Sequence, residues 1–250
     1  MTFTQSLTSQ LPSKWRAGLH VFETIDSTNS EAQRRLDSGE QPPLLLLACA
    51  QTAGRGRHGR RFESPAGTGL YWTLVMAASA QLPLNLITPA AGVALHAAVA
   101  KVLAVDTQLK WVNDLLKNDR KVAGILTEVV PAQPRRIMVG VGVNFTKDPR
   151  RPETAAGQQI GSLLDSITDA ATQAALVAQF VARLDGLLVR PTRIMPEFRT
   201  AAAWLGQPVS LSEPGHVAKG RLAGFADNGA LILETEHGRQ QFQDGTLRRQ

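Results

Sequence analysis

Apolar residues set the first outline of this chain. Leu44-Leu45-Leu46-Leu47-Ala48-Cys49-Ala50 is an unbroken apolar run of strand length, which predicts a buried strand over 44–51. Residues 20–25 and 69–77 read as further strands. Between the first two, Thr28-x-x-Glu31 has the form of a capping box and predicts a helix through about Leu36. Residues 89–103 are alanine-rich with few polar residues on any face, so a largely buried helix is expected. Thr88 would be its N-cap, with Pro89 at the first helical position. Strands are predicted at 108–112, 122–130 and 136–145, with Asn118-Asp119-Arg120 as a turn between the first two. Residues 168–189 and 196–204 read as helices.

After Gly206 the texture changes. Short strand-like pieces alternate with turn signals at Gly215, Asp227-Asn228-Gly229 and His237-Gly238, which predicts a small all-β unit. The expected domains are therefore 1–205 and 206–250.

Composition narrows the classes. The chain has 250 residues, 43% hydrophobic and 19% charged, enough to bury a substantial core. One cysteine, Cys49, excludes an internal disulfide or a multi-cysteine zinc site, and the five histidines lack metal-ligand spacing. The start carries no basic-then-apolar leader, and the apolar stretches look too short or too interrupted to span a bilayer, so a cytoplasmic location is expected. A net charge of +6 suits an anionic partner without choosing one.

Candidate chemistry lies in two places. Gly54-Arg55-Gly56-Arg57-His58-Gly59 matches G-x-G-x-x-G, but a Pro/Gly loop and a strand follow instead of a helix. No acidic residue lies between Glu63 and Asp106, and a dinucleotide fold requires one. A kinase glycine loop fails because H-R-D and D-F-G are absent. Arginines at 55, 57, 60 and 61 then make either a phosphate or carboxylate holder or a solvated basic loop. Second, Lys110-Trp111-Val112-Asn113-Asp114 and Lys121-Val122-Ala123-Gly124 flank a tight turn. This would bring Asp114 near Lys121, an arrangement equally at home in a surface ion pair.

Five segments in order resemble the biotin–protein ligase family: Asp26-Ser27-Thr28-Asn29, Gln51 through Arg57, Lys110 through Asp114, Lys121 through Leu126, and Val139-Gly140-Val141-Gly142-Val143-Asn144. The likeness is strong over about 20–145. It continues loosely to Phe225-Ala226-Asp227-Asn228-Gly229-Ala230-Leu231 in the last unit. It implies an α+β fold: a mixed-sheet catalytic domain followed by a small SH3-like β-barrel.

It further implies a biotin pocket of Ser27, Thr28, Asn29, Gln51, Arg55, Gly56, Arg57 and Lys121, and ATP contacts from Arg57, Arg60, Lys110, Asn113, Asp114 and Asn144. Lys121, Arg57 and Asp114 would be catalytic, and Asp114 would also hold Mg²⁺ and orient or deprotonate the acceptor lysine. The implied reaction joins biotin to ATP as an acyl-adenylate and passes it to a biotin carboxyl carrier protein of acetyl-CoA carboxylase. Two positions depart from the family's pattern: Val112 where proline is common, and Phe62 where tryptophan is frequent. Neither removes a reacting group.

The Ser27 segment begins too early to leave room for an N-terminal DNA-binding domain, so no sequence-specific DNA partner is expected. A homodimer through an exposed sheet edge is compatible with the sequence. The alternative is a lipoate or octanoyl ligase or transferase of the same fold, although the Arg-Arg-x-x-Gly-Gly-Gly motif of those families is absent. A nucleic-acid-binding module is disfavoured by a 5% aromatic content, with only Phe225 and Phe242 after Gly206.

Overall fold

The structure is a computed structural model, and it describes residues 1–78, 83–131, 134–155 and 157–250. Two short helices open the chain, α1 (Phe3–Gln10) and α2 (Ser13–Arg16). The sequence reading had not anticipated them, although Thr2 and Gln5 form a complete capping box on α1. Then follow β1 (Leu19–Ile25), α3 (Thr28–Asp37), β2 (Leu44–Gln51), β3 (Gly69–Ala77), α4 (Ile87–Leu103), β4 (Gln108–Lys110), β5 (Asp114–Lys117), β6 (Arg120–Val130) and β7 (Arg136–Asn144). A small pair, β8 (Thr154–Ala155) and β9 (Gln158–Gln159), leads to α5 (Ala170–Val189) and α6 (Ile194–Ala201). The last unit holds β10 (Pro208–Glu213), β11 (His216–Phe225), β12 (Leu231–Thr235), β13 (Gly238–Phe242) and β14 (Thr246–Arg249).

The main sheet is mixed, in the order β1-β2-β3-β7-β6-β5-β4, with only β1 and β2 parallel. Leu45 and Leu47 of β2 join Trp72 and Leu74 of β3 in the large core under α4 and α5. Leu44 and Leu46 join Val75, Met138, Ala32 and Leu36 in a second core beneath α3. The unbroken apolar run thus serves two layers, because alternate strand residues face opposite sides.

Leu84–Leu103 and Ala170–Val189 are, contrary to expectation, long and apolar enough to cross a membrane by length and composition. Both instead pack against each other and into the core. Trp15 of α2 donates its Nε1 proton to Asp185 of α5 at 2.9 Å, pinning the N-terminal segment to this layer.

Local predictions erred where side chains had distant partners. Ser27, not Thr28, is the N-cap of α3, and its side chain makes no capping bond. Thr28 and Glu31 cannot form the expected box, because Thr28 Oγ1 donates to Gln51 while Glu31 takes Arg34 and Arg35. Helix α4 starts at Ile87 with Leu86 as cap, since Thr88 Oγ1 is bonded to Thr127. The predicted strand at 108–112 ends at Lys110, and β5 went unpredicted. Asn118 and Asp119, both at positive φ (51° and 60°), form the tight turn joining β5 to β6.

The last five strands form an antiparallel sheet in the order β13-β12-β11-β10-β14. This small β unit is bonded to the β4–β5 link, to α6 and to the β5–β6 turn. Trp111 Nε1 donates to Gly229 O at 2.9 Å, Arg199 Nε donates to Phe225 O at 2.9 Å, and Arg249 pairs with Asp119 at 2.6 Å.

Candidate active site

Two adjoining cavities open over the β6–β7 face. The first, about 440 Å³, is lined by Ser27, Thr28, Asn29, Gln51, Arg55, Gly56, Arg57 and Lys121, all eight residues expected to hold biotin. Its floor is the backbone of β6 and β7 at Gly124, Gly140 and Gly142. A side chain at either β7 glycine would collide: a Cβ on Gly140 would lie 2.1 Å from Asn29 Oδ1, and one on Gly142 would lie 2.5 Å from Phe62 Cε1. Glycine here lets two side chains lie directly on the sheet.

A hydrogen-bonded frame sets the polar end of this cavity. Gln51 Oε1 accepts from Thr28 N at 2.8 Å and Thr28 Oγ1 at 3.1 Å. Thr73 Oγ1 donates to Asn29 Oδ1 at 2.7 Å, and Asn29 Nδ2 donates to Glu128 Oε2 at 2.8 Å. The other oxygen of Glu128 receives Arg55 Nη2 at 2.7 Å. Thr73 and Glu128 were not singled out from sequence. Glu128 follows Lys-Val-Ala-Gly-Ile-Leu-Thr on β6, and nothing local to it signals a partner 99 positions away in the chain.

The arginine loop is a small folded unit. Gly56 N donates to Arg60 O at 2.7 Å and Phe62 N to Gly54 O at 2.9 Å, while His58 takes the left-handed conformation. Arg57 leaves this loop to reach Asn113 Oδ1 at 3.2 Å and to pair with Asp244, which precedes β14 in the C-terminal sheet.

The second cavity, about 980 Å³, contains all six residues expected to face ATP: Arg57, Arg60, Lys110, Asn113, Asp114 and Asn144. Arg151, Gln158 and residues 245–248 line it too; none was expected in a site, and Arg151 was expected in a surface loop over 147–152. Arg151 is buried with Nη2 on Tyr71 at 2.9 Å and Nη1 on Thr146 O at 2.8 Å, directing its charge inward from the 146–160 segment. Gly56, Arg57, Phe62, Asn113 and Lys121 line both cavities, so Lys121 stands at their junction.

Asp114 is the buried centre of this junction. Lys121 Nζ lies 2.5 Å from Oδ1 and Lys110 Nζ lies 3.2 Å from Oδ2. Burial works against the charge on Asp114, yet the two lysines outweigh it and hold the carboxyl below its ordinary range. For Lys110 burial dominates, and its pKa falls despite the help of Asp114.

The expected Mg²⁺ ligation does not fit this arrangement. A dication at Asp114 would displace one ammonium group and sit beside the other. The same pairing and depressed pKa make Asp114 a poor base.

The Biotin/lipoate A/B protein ligase family model matches residues 21–144. A biotin--[acetyl-CoA-carboxylase] ligase of Paracoccus denitrificans is 32% identical, covering 88% of this chain and 95% of its own. One of Mycobacterium tuberculosis is also 32% identical, over 89% of this chain and 85% of its own. Among solved structures, a biotin protein ligase from Aquifex aeolicus in complex with biotin and ATP superposes with a TM-score of 0.75. It is 23% identical and covers 93% of this chain and 99% of that one.

Proposed function

The chain belongs to the biotin protein ligase family, and from that premise we propose that it activates biotin with ATP and transfers it to a lysine of a carrier protein. The observation that carries this reading is Lys121, a cation at the boundary of two cavities, one lined by Ser27, Thr28, Asn29 and Gln51 and the other by arginines. Activation requires the biotin carboxylate to attack the α-phosphorus of ATP, so two anions must meet. Lys121 faces both and can offset their repulsion as charge grows on the phosphoryl oxygens. The carboxylate oxygen forms the new P–O bond and pyrophosphate leaves from the other side, with Arg57 and Arg60 beside its path.

The frame of Thr28, Asn29, Thr73, Gln51 and Glu128 supplies donors and acceptors for the polar ring of biotin. The backbone at Arg55–Arg57 closes over it. Asp114 orients Lys121 and Lys110 and remains a carboxylate. A neutral acceptor lysine then attacks the acyl carbon and AMP departs. The acceptor is a carrier protein of the biotin carboxyl carrier class. Residues 1–205 form the catalytic unit and 206–250 an appended unit that supplies Asp244 to the arginine loop. A cytoplasmic setting follows from the same assignment, because the acceptor is an intracellular enzyme subunit.

The test mixes the protein with ATP, Mg²⁺ and either biotin or lipoate, and follows pyrophosphate and acyl-adenylate by mass spectrometry. Biotinyl-adenylate from the wild type, strongly reduced in Lys121→Ala, is the expected result. Adenylate with lipoate alone would reassign the substrate. No adenylate from folded protein would overturn the proposal.

A further inference from the structure

The ammonium of Lys110 is almost sealed from water, with its side chain 5% exposed. It donates to Asp114 Oδ2 at 3.2 Å and to Gln158 Oε1 at 2.6 Å. Asp114 is not its alone, because Lys121 pairs with the other carboxylate oxygen. Two ammonium groups thus share one buried carboxylate, which leaves an excess of positive charge. On a further side of Lys110 lies an aromatic face: Nζ is 5.6 Å from the centroid of the Trp204 ring. That is within the range at which an indole attracts a cation, and indole does so best among aromatic side chains.

Trp204 is brought there by the link between α6 and β10. Ala203 N donates to Leu109 O at 2.8 Å, and Ala202 forms a parallel bridge with Leu109. Leu109 precedes Lys110, so the next link residue comes over the lysine. Trp204 takes a left-handed backbone, φ 63°, which a bulky side chain rarely adopts. Its Nε1 donates to Asp119 Oδ1 at 2.7 Å, and the other oxygen of Asp119 receives Arg249 of β14 at 2.6 Å. The ring edge is tied to the β5–β6 turn, and the ring face is left to Lys110. Any apolar side chain could fill this volume. The indole adds a negative face for a cation that has only a shared carboxylate.

We propose that Trp204 is a positioning residue for the activation step: its ring holds the Lys110 ammonium, and Lys110 holds Asp114 and Gln158 in the wall of the nucleotide cavity. The inference rests on ATP being the substrate. Lys110 is not part of the biotin-side frame, so the effect falls on the nucleotide.

The experiment places tryptophan or its mono-, di- and trifluorinated forms at position 204 alone, by nonsense suppression, and measures biotinyl-adenylate formation against ATP concentration. Fluorine withdraws charge from the ring face with little change in size. KM for ATP should rise stepwise, about fivefold across the series, with kcat within about twofold. In Lys110→Met, which removes the charge and keeps an unbranched side chain, the same series should leave KM flat. A flat KM with Lys110 present, or an equal rise in both backgrounds, would overturn the inference. Calorimetric titration with biotin alone reports folding. Its Kd should not move across the series, and a parallel loss of biotin affinity would make Trp204 a structural residue only. If Lys110→Met does not fold, Trp204→Phe and Trp204→Leu decide: Phe should keep KM nearer to that of the wild type, and equal KM values would overturn the inference. A wild type that forms no adenylate overturns the underlying function instead, and the fluorinated series is then read on the calorimetric Kd for ATP.

Discussion

Asn29 Nδ2 donates to Glu128 Oε2 at 2.8 Å, joining the first turn of α3 to the C-terminal end of β6 beside the biotin-side cavity. Glu128 thereby fixes which face of the Asn29 amide is presented, and its second oxygen restrains Arg55. Replacing it with alanine leaves Asn29 held by Thr73 alone and releases Arg55 into solvent. Glu128→Ala should weaken biotin binding about tenfold, the loss of roughly 1.4 kcal/mol expected of a hydrogen bond to a charged group. Calorimetric titration with biotin alone checks this. An unchanged Kd would remove Glu128 from the frame.

Gly140 offers a sterically defined test of the same frame. The Cβ of Gly140→Ala would lie 2.1 Å from Asn29 Oδ1, so Asn29 must move. Biotin affinity should fall by more than about tenfold, and unfolding free energy by roughly 1–3 kcal/mol, the usual cost of overpacking. Gly186→Ala is the control. It sits within α5 with nothing near its added Cβ, and it should raise stability by roughly 0.5–1 kcal/mol without changing biotin affinity. Equal effects of the two substitutions on biotin binding would refute the steric reading.

Lys121→Ala should cost adenylate formation roughly 10²–10³-fold, the scale for removing one preorganised charge stabiliser. It should also destabilise the fold, because Asp114 would be left buried with Lys110 alone. Lys121→Arg separates these effects. It keeps a cation beside Asp114, so denaturant titration should show more stability than Lys121→Ala, while adenylate formation stays reduced because a guanidinium fork does not reproduce the single-point ammonium. Equal activity of Lys121→Arg and the wild type would show that the ammonium itself is not needed for the chemistry.

The acid limb of stability should report on Asp26. Its hydrogen bond to Arg34 holds its pKa at about 2, below the ordinary 3.8 of an aspartate. A depressed carboxylate stabilises the fold above its unfolded pKa, and that contribution is lost as pH falls from about 4 through about 2. Both partners are substantially exposed, so screening reduces the contribution to below about 1 kcal/mol. Asp26→Asn should lower stability at pH 7 by that amount and reduce the loss between pH 4 and pH 2. Urea titrations at pH 7, 4 and 2 would expose a wild type and variant that lose stability in parallel, which would contradict the assignment.

Much of this molecule was already determined by residue pattern. The apolar run at 44–51 became β2 with the expected bounds, because a strand buried on both faces has no polar face to interrupt it. The segments holding Ser27, Gln51, Arg57, Asn113, Lys121 and Asn144 named a set of residues that line two touching cavities. Chemistry of that kind survives in short segments, since glycine, arginine and lysine are needed at fixed places in a loop.

Tertiary structure alone decided the partners. Whether Thr28 caps its helix or bonds Gln51, and whether Glu128 is an exposed strand residue or the partner of Asn29 and Arg55, depend on side chains far away in the chain. A hydrogen bond or ion pair forms where the fold brings two groups within about 3 Å. No local spacing encodes the 99 positions between Asn29 and Glu128 or the distance in sequence from Arg57 to Asp244. The sequence determined which groups the protein possesses, and the packing of its sheets and helices determined which of them meet.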